Sequence, residues 1–280
     1  PKRQQGFLMM SGASAGLAAI FSSPGIGALY GLEVPFRRGF DPRPLIQSTI
    51  AAVAAFVARA LTIGVDPLVP FAEEPVTVDV QLIGVALVLA LVCGLGGRLF
   101  SNATNLARRW RKQLRPVVGT SIASVILVAM GLGAWLATGA WVTMGPGHVM
   151  FDWATASPQG VWILALALVL HAGGTVICVF GGGGGGIFTS LTVTGAMLGC
   201  IAAVLLGCPE ALYLPLVGGA CLLSAAYRIP FAGMMLIIEW GGGLESALLG
   251  IVCIWLAQAC MGQTTIAPAQ TASPADVKHA

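Results

Sequence analysis

Charge is scarce in this chain. Asp, Glu, Lys and Arg make up 9% of its 280 residues, where soluble domains average about 25%. Hydrophobic residues make up 57%, and the mean hydropathy is +0.89. A water-facing surface cannot be built from this composition. It excludes a soluble domain and defines an all-α polytopic membrane protein. The net charge of +3 sits in short loops and is no nucleic-acid signature. Paired cysteines are lacking too. Seven stand singly in apolar stretches with no C-x-x-C, which leaves small core residues rather than disulfides or metal ligands. Three scattered histidines make no metal site. Paired carboxylates and a nucleophile triad are missing, so neither an enzyme nor a cofactor is expected.

What the chain has in abundance is apolar segments, at about 7–33, 45–64, 80–100, 117–142, 160–180, 187–207, 212–226, 229–240 and 244–261. Several fall short of the roughly 20 residues a straight span needs. Residues 212–226 and 229–240 read as half-spans joined at Tyr227 and Arg228, a broken helix of the kind transporters and channels use. Loop charge predicts orientation. Arg37, Arg38 and Arg43 lie in one loop, and Arg108, Arg109, Arg111, Lys112 and Arg115 in another. Residues 65–79, between them, hold Asp66, Glu73, Glu74 and Asp79 with no Lys or Arg. The positive-inside rule places the basic loops in the cytoplasm and the acidic linker outside. Residues 263–280 are polar and rich in Ala, Thr and Pro, and are expected to form a flexible cytoplasmic tail.

Six consecutive glycines, residues 181–186, precede Ile187-Phe188-Thr189-Ser190 and separate two apolar segments. Irregular backbone at membrane depth cannot face lipid, because its N–H groups would have no partners. A glycine loop opening a helix presents free N–H groups and the positive end of the helix dipole, which suits an anion. The other reading is a flexible loop outside the membrane. A nucleotide loop is excluded, because the Lys-Ser/Thr that should follow it is missing.

An internal repeat is present. Residues 12–33 match residues 218–239 without a gap, at an offset of 206. Gly12/Gly218, Leu17/Leu223, Ala19/Ala225, Pro24/Pro230, Gly27/Gly233 and Glu33/Glu239 are identical pairs. Each copy predicts a small-residue helix, a Pro-containing break, a second helix and a closing Glu. Two homologous halves would place more than a hundred residues before the first copy, and eleven stand there. The expectation is an N-terminally truncated arrangement. In it, residues 1–64 end one membrane repeat, 65–79 link, 80–262 form a second repeat, and 263–280 follow as the tail.

These blocks together resemble the CLC family of chloride channels and proton-coupled anion antiporters. GASAGLAAIFSSPGIGALYGLE at 12–33 is similar to the segment closing that family's first half. GGGGGGIFTS at 181–190 is similar to its second-half anion motif, G-x-F-x-P. LLSAAYRIPFAGMMLIIE at 222–239 and the weaker GPGHVMF at 145–151 follow the family's order. The resemblance implies a CLC-type inverted-repeat helical fold and a multi-pass protein of the bacterial inner membrane. It implies a homodimer with the repeat copies at its interface, and chloride or another small anion as the transported partner. Carried onto this chain, the motif implies an anion held by the backbone N–H groups of Ile187 and Phe188. Gly185 and Gly186 would permit the approach, and Ser190 would line the pore and count among the anion-binding residues.

The chain departs from the family pattern. Ser190 replaces the Pro of G-x-F-x-P, and the first-half motifs G-S-G-x-P and G-[KR]-E-G-P are absent. The family's C-terminal Tyr has no counterpart; Ala267 stands in that region. Val34 follows Glu33 where many proton-coupled members carry a second Glu, which argues against chloride/proton exchange by that route. Passive conduction, the fluoride-transporting branch and a non-transporting degenerate scaffold all remain as readings. Glu33 and Glu239 read as caps of backbone N–H groups or partners of a nearby Arg. Arg59 reads as snorkelling to the interface, and Arg228 as reaching carbonyls at the break or attracting the anion. His171 reads as a satisfied core histidine or a residue that tunes the pore potential.

Overall fold

The computed structural model describes residues 2–37, 39–66, 77–157, 159–183, 186–207, 212–241, 243–267 and 269–270, with side chains from residue 6 onward. The described secondary structure is helical throughout. In chain order the helices are α1 (Lys2–Phe21), α2 (Pro24–Glu33), α3 (Leu45–Thr62), α4 (Val80–Arg111), α5 (Pro116–Thr138), α6 (His148–Ala156), α7 (Val161–Gly181), α8 (Ile187–Leu206), α9 (Tyr213–Tyr227), α10 (Pro230–Trp240) and α11 (Leu244–Met261). Six of them, α3, α4, α5, α7, α8 and α11, are long and apolar enough to cross a membrane. The apolar segments foreshadow ten of these helices. They miss α6 and end α4 about eleven residues early, because the polar turn Ser101–Asn105 and the basic cluster continue the helix rather than stop it.

Burial sorts the helices. The apolar window of α8 is 67% buried, against 11% for α3. Every residue of α9 from Tyr213 to Ala226 is buried. These two helices form the centre and cross at backbone distance. A Cβ on Gly195 would lie 2.2 Å from the Gly218 carbonyl oxygen, and one on Gly199 would lie 2.2 Å from that of Leu214. In lipid, helices gain little from burying apolar surface against each other, so close van der Waals approach through small residues holds them together. A core helix cannot also present a surface to a second copy. The expectation that both repeat copies line a dimer interface therefore fails for α9. α10, the second helix of the same copy, keeps exposed Phe231 and Ile238.

The internal repeat is visible in backbone detail. Among the described residues, Ser22 (φ 48°) and Arg228 (φ 61°) are the two non-glycine residues in the left-handed region. They are 206 positions apart, as the sequence repeat requires. Each ends a helix, and each is followed two residues later by Pro24 or Pro230 at the first position of the next helix. A left-handed residue ends a helix and a proline can only begin one, so the break is written twice.

Side chains outside the repeat fasten its breaks. Arg59 does not reach outward to an interface. It donates to Ser22 Oγ at 2.6 Å and to the carbonyls of Gly64 at 2.7 Å and Asp66 at 2.5 Å. Asp79 caps α4, its Oδ1 accepting from Leu82 N at 2.7 Å. The start of the expected flexible tail is docked instead. Ile266 and Gln270 are buried. Ile266 N donates to Ala226 O at 3.0 Å, and Gln270 Nε2 donates to the carbonyls of Val34 and Tyr227. The polar residues there are spent on carbonyls left open at helix ends, which composition alone does not reveal. Glu73, Glu74 and residues 271–280 lie outside the described residues.

Candidate functional site

The glycine run serves two helix ends. Gly181 closes α7, and Gly182 takes a left-handed conformation (φ 84°). The N–H groups of Gly182 and Gly183 return to the carbonyls of Val179 and Cys178. This is a glycine C-cap. Gly184 and the expected site residue Gly185 lie outside the described residues. Gly186 then caps α8 with extended backbone and, having no side chain, offers the helix no capping oxygen. Among the described residues, nothing accepts from the N–H groups of Ile187 and Phe188. A Cβ on Gly186 would meet nothing within 4 Å. The first turn of α8 therefore carries free donors, the positive end of the helix dipole and open space in front of it.

The two sides of that turn differ. On one side the buried Phe188 ring sits among Phe21 at 5.3 Å, Tyr30 at 5.4 Å and Tyr227 at 5.4 Å, centroid to centroid. These three rings come from α1, α2 and α9, so both copies of the repeat hold the start of α8. Tyr30 and Tyr227 were not legible as site residues, because nothing in their spacing links them to residue 188.

On the other side a cavity of about 570 Å³ opens between α5, residues 143–146, α7 and α8. Gly186, Ile187 and Ser190 form part of its wall, with His171 and Thr175 opposite. Ser190 Oγ lies 2.5 Å from Thr175 Oγ1 and 3.0 Å from His171 Nε2. Thr175 Oγ1 donates to the His171 carbonyl at 3.1 Å. One assignment satisfies all three contacts. Thr175 uses its single proton on the carbonyl, so Ser190 donates to Thr175, and His171 Nε2–H donates to Ser190. In that assignment the Ser190 hydroxyl proton is engaged by Thr175. Through these contacts Ser190, expected among the anion-binding residues, also ties α8 to α7. His171 is buried and hydrogen-bonded through Nε2, while its Nδ1 finds no described partner.

The closing carboxylates of the repeat are caps. Glu33 accepts from Phe231 N at 3.1 Å and Ala232 N at 2.7 Å, and Glu239 accepts from Gly25 N at 2.9 Å and from the Ser23 hydroxyl. Val34 is the C-cap of α2 and is partly buried. Its carbonyl is taken by Gln270, so this position serves the docking of the C-terminal segment. Ala267 follows the Thr265 and Ile266 carbonyls, which are held by Asn105 and Arg108.

The described residues form a helical bundle in which the same helix break occurs twice and a glycine-capped helix start adjoins a cavity. The profile of the voltage gated chloride channel family matches residues 1–262. The chain belongs to that family and is an integral multi-pass membrane protein. It is 28% identical over 254 residues to a Pseudomonas syringae pv. tomato protein named chloride/fluoride channel protein, covering 88% of this chain and 54% of that one. It is 24% identical over 276 residues to the Salmonella paratyphi A H(+)/Cl(-) exchange transporter ClcA, covering 93% and 55%. The chain thus spans about half the length of the curated relatives it matches. Among solved structures, a CLC-type fluoride/proton antiporter superposes with a TM-score of 0.80 at 23% identity, covering 95% of this chain and 66% of that one. A slow cyanobacterial Cl-/H+ antiporter superposes with a TM-score of 0.77 at 23% identity, covering 93% and 63%.

Proposed function

We propose that this chain contributes to a transmembrane pathway for chloride or a similar small anion, held by the N–H groups of Ile187 and Phe188. The observation that carries this reading is the uncapped first turn of α8, with free amides beside a cavity and Phe188 fixed by three rings. Backbone donors at a helix start replace part of an anion's hydration shell without a buried cation. No covalent chemistry is required. Gly185 and Gly186 let the anion come close, and Ser190 acts through the position of α8. The organisation that goes with this reading is residues 1–64 as the end of one repeat and 80–262 as the next, with basic loops in the cytoplasm. A homodimer also belongs to it, supported by exposed Phe231, Ile238, Leu248, Val252 and Trp255 on α10 and α11.

Fluoride is the second reading, favoured by the likeness to the Pseudomonas protein and to the fluoride/proton antiporter. Liposomes holding the protein as its gene encodes it, loaded with chloride or fluoride, distinguish the two by ion-selective electrode. Efflux of either anion supports the pathway. A folded, inserted protein that moves neither would leave the scaffold reading in its place.

A further inference from the structure

The structure assigns a second anion site, away from α8, to the basic end of the bundle: a pocket for a phosphate-bearing group. It is a cavity of about 400 Å³ lined by Arg37, Asn105, Arg108, Arg109, Lys112 and the segment 263–265. Three elements meet there: the connection after α2, the end of α4 and the chain after α11.

Three observations point to a ligand. The first is unbalanced charge. Four cationic side chains line the cavity, and no described carboxylate does. The ion pair found among the described residues joins Arg43 to Asp41 and involves none of the four. Basic residues at the end of α4 complement its dipole, but that role does not require them to converge on a cavity with Arg37 from another element. The second is unspent donors. The exposed side chains of Arg109 and Lys112 hold no described protein partner.

The third is that the walls are fastened independently of any ligand. Arg228, in its left-handed break between α9 and α10, donates from Nε to the Arg37 carbonyl at 2.7 Å and from its other end to the Gly262 carbonyl. Asn105 holds the Thr265 carbonyl at 3.0 Å, and Arg108 holds that of Ile266 at 2.8 Å. The backbone on both sides of the pocket is thereby set before anything binds.

The pocket's size and donor geometry choose the ligand class. A monatomic anion would fill a small part of this volume. Guanidinium forks match the paired oxygens of a phosphate group. The end of α4 lies far enough from Val80 to reach the headgroup zone, since about 20 helical residues cross the hydrocarbon core and α4 has 32. A lipid phosphate and a phosphate from solution can therefore both arrive. The pocket shares no lining residue with the cavity beside α8.

The test uses the purified protein as its gene encodes it, delipidated in neutral detergent. One arm titrates inorganic phosphate and reads the melting temperature. The other offers mixed micelles of phosphatidylcholine with or without phosphatidic acid and reads bound lipid by native mass spectrometry. Saturable stabilisation by inorganic phosphate supports the site with a soluble ligand, and selective retention of phosphatidic acid supports it with a lipid headgroup. The decisive variant is Arg109→Gln/Lys112→Gln, because neither side chain has a structural contact to lose. It should weaken either signal roughly tenfold or more while lowering the ligand-free melting temperature only slightly, through the lost dipole interaction. No response to either probe, or full response in this variant, would overturn the proposal.

Discussion

Glu33 and Glu239 cap each other's repeat. Glu33, at the end of α2, accepts from the N–H of Phe231 at the start of α10, and Glu239, at the end of α10, accepts from the N–H of Gly25 at the start of α2. Residues 25 and 231 are 206 positions apart, as are the two glutamates. The exchange is reciprocal, so one two-fold-like contact fastens both copies. Glu33 is 3% exposed and holds two amides, whereas Glu239 is exposed. Glu33→Gln should therefore lower stability by about 2 kcal/mol, the range for charge-assisted hydrogen bonds. Glu239→Gln should cost distinctly less. Thermal unfolding in detergent checks the order; equal losses would mean that burial does not set the strength of the two caps.

The crossing of α8 and α9 makes a second prediction. Gly195 and Gly199 face carbonyl oxygens of α9 at 2.2 Å from an added Cβ, and backbone cannot swing aside as a side chain can. Gly195→Ala should force the two central helices apart and cost about 1–3 kcal/mol, as overpacking does. Gly84→Ala on α4 is the control, since a Cβ there meets nothing within 4 Å. Helix propensity makes that change neutral or stabilising. Similar melting temperatures for the two variants would contradict the packing.

Much of this architecture is legible in the sequence because the bilayer enforces it. Apolar length marks the spans, Pro24 and Pro230 mark the breaks, and the glycine run marks the start of α8. Less legible is what pairs across long separations. Gln270 meets Val34 and Tyr227, Arg228 meets Arg37 and Gly262, and Phe188 meets Tyr30 and Tyr227. No periodicity connects these positions. Helix α6 is hidden for another reason. It is short, with Met150 and Phe151 buried, and it lies in a stretch whose Gly145, Pro146 and Gly147 read as loop. The docking of Ile266 and Gln270 is hidden because a polar composition cannot distinguish solvated residues from residues that hold helix-end carbonyls.

Phe188 supports a third prediction. Its ring is buried against partners from three helices, α1 and α2 of the first copy of the repeat and α9 of the second. Phe188→Ala should cost about 3–5 kcal/mol, the usual range for a buried aromatic. Phe188→Leu keeps most of the apolar volume and should fold. If the amide of residue 188 holds the anion, the Leu variant should retain anion flux with altered rate, because its N–H is unchanged while the packing that fixes it is loosened. A folded Leu variant with unchanged flux and unchanged melting temperature would show that the ring cage fixes nothing.

Ser190 carries the sharpest prediction, since the family motif has Pro at this place. Its hydroxyl joins His171 Nε2 to Thr175 Oγ1. Ser190→Ala should cost about 1–3 kcal/mol by leaving the buried His171 N–H without a partner. It should not change the chloride-to-fluoride preference, because the lost proton was already donated to Thr175. Ser190→Pro alone should be destabilising for the same reason, and combining it with His171→Leu should recover part of the loss. The coupling between the two sites, read from melting curves of both single variants and the double, should exceed roughly 0.5 kcal/mol, the limit expected of independent positions. Additive effects would show that the Ser190–His171 bond does not hold α8 to α7. A changed anion preference in Ser190→Ala would make Ser190 a direct anion donor.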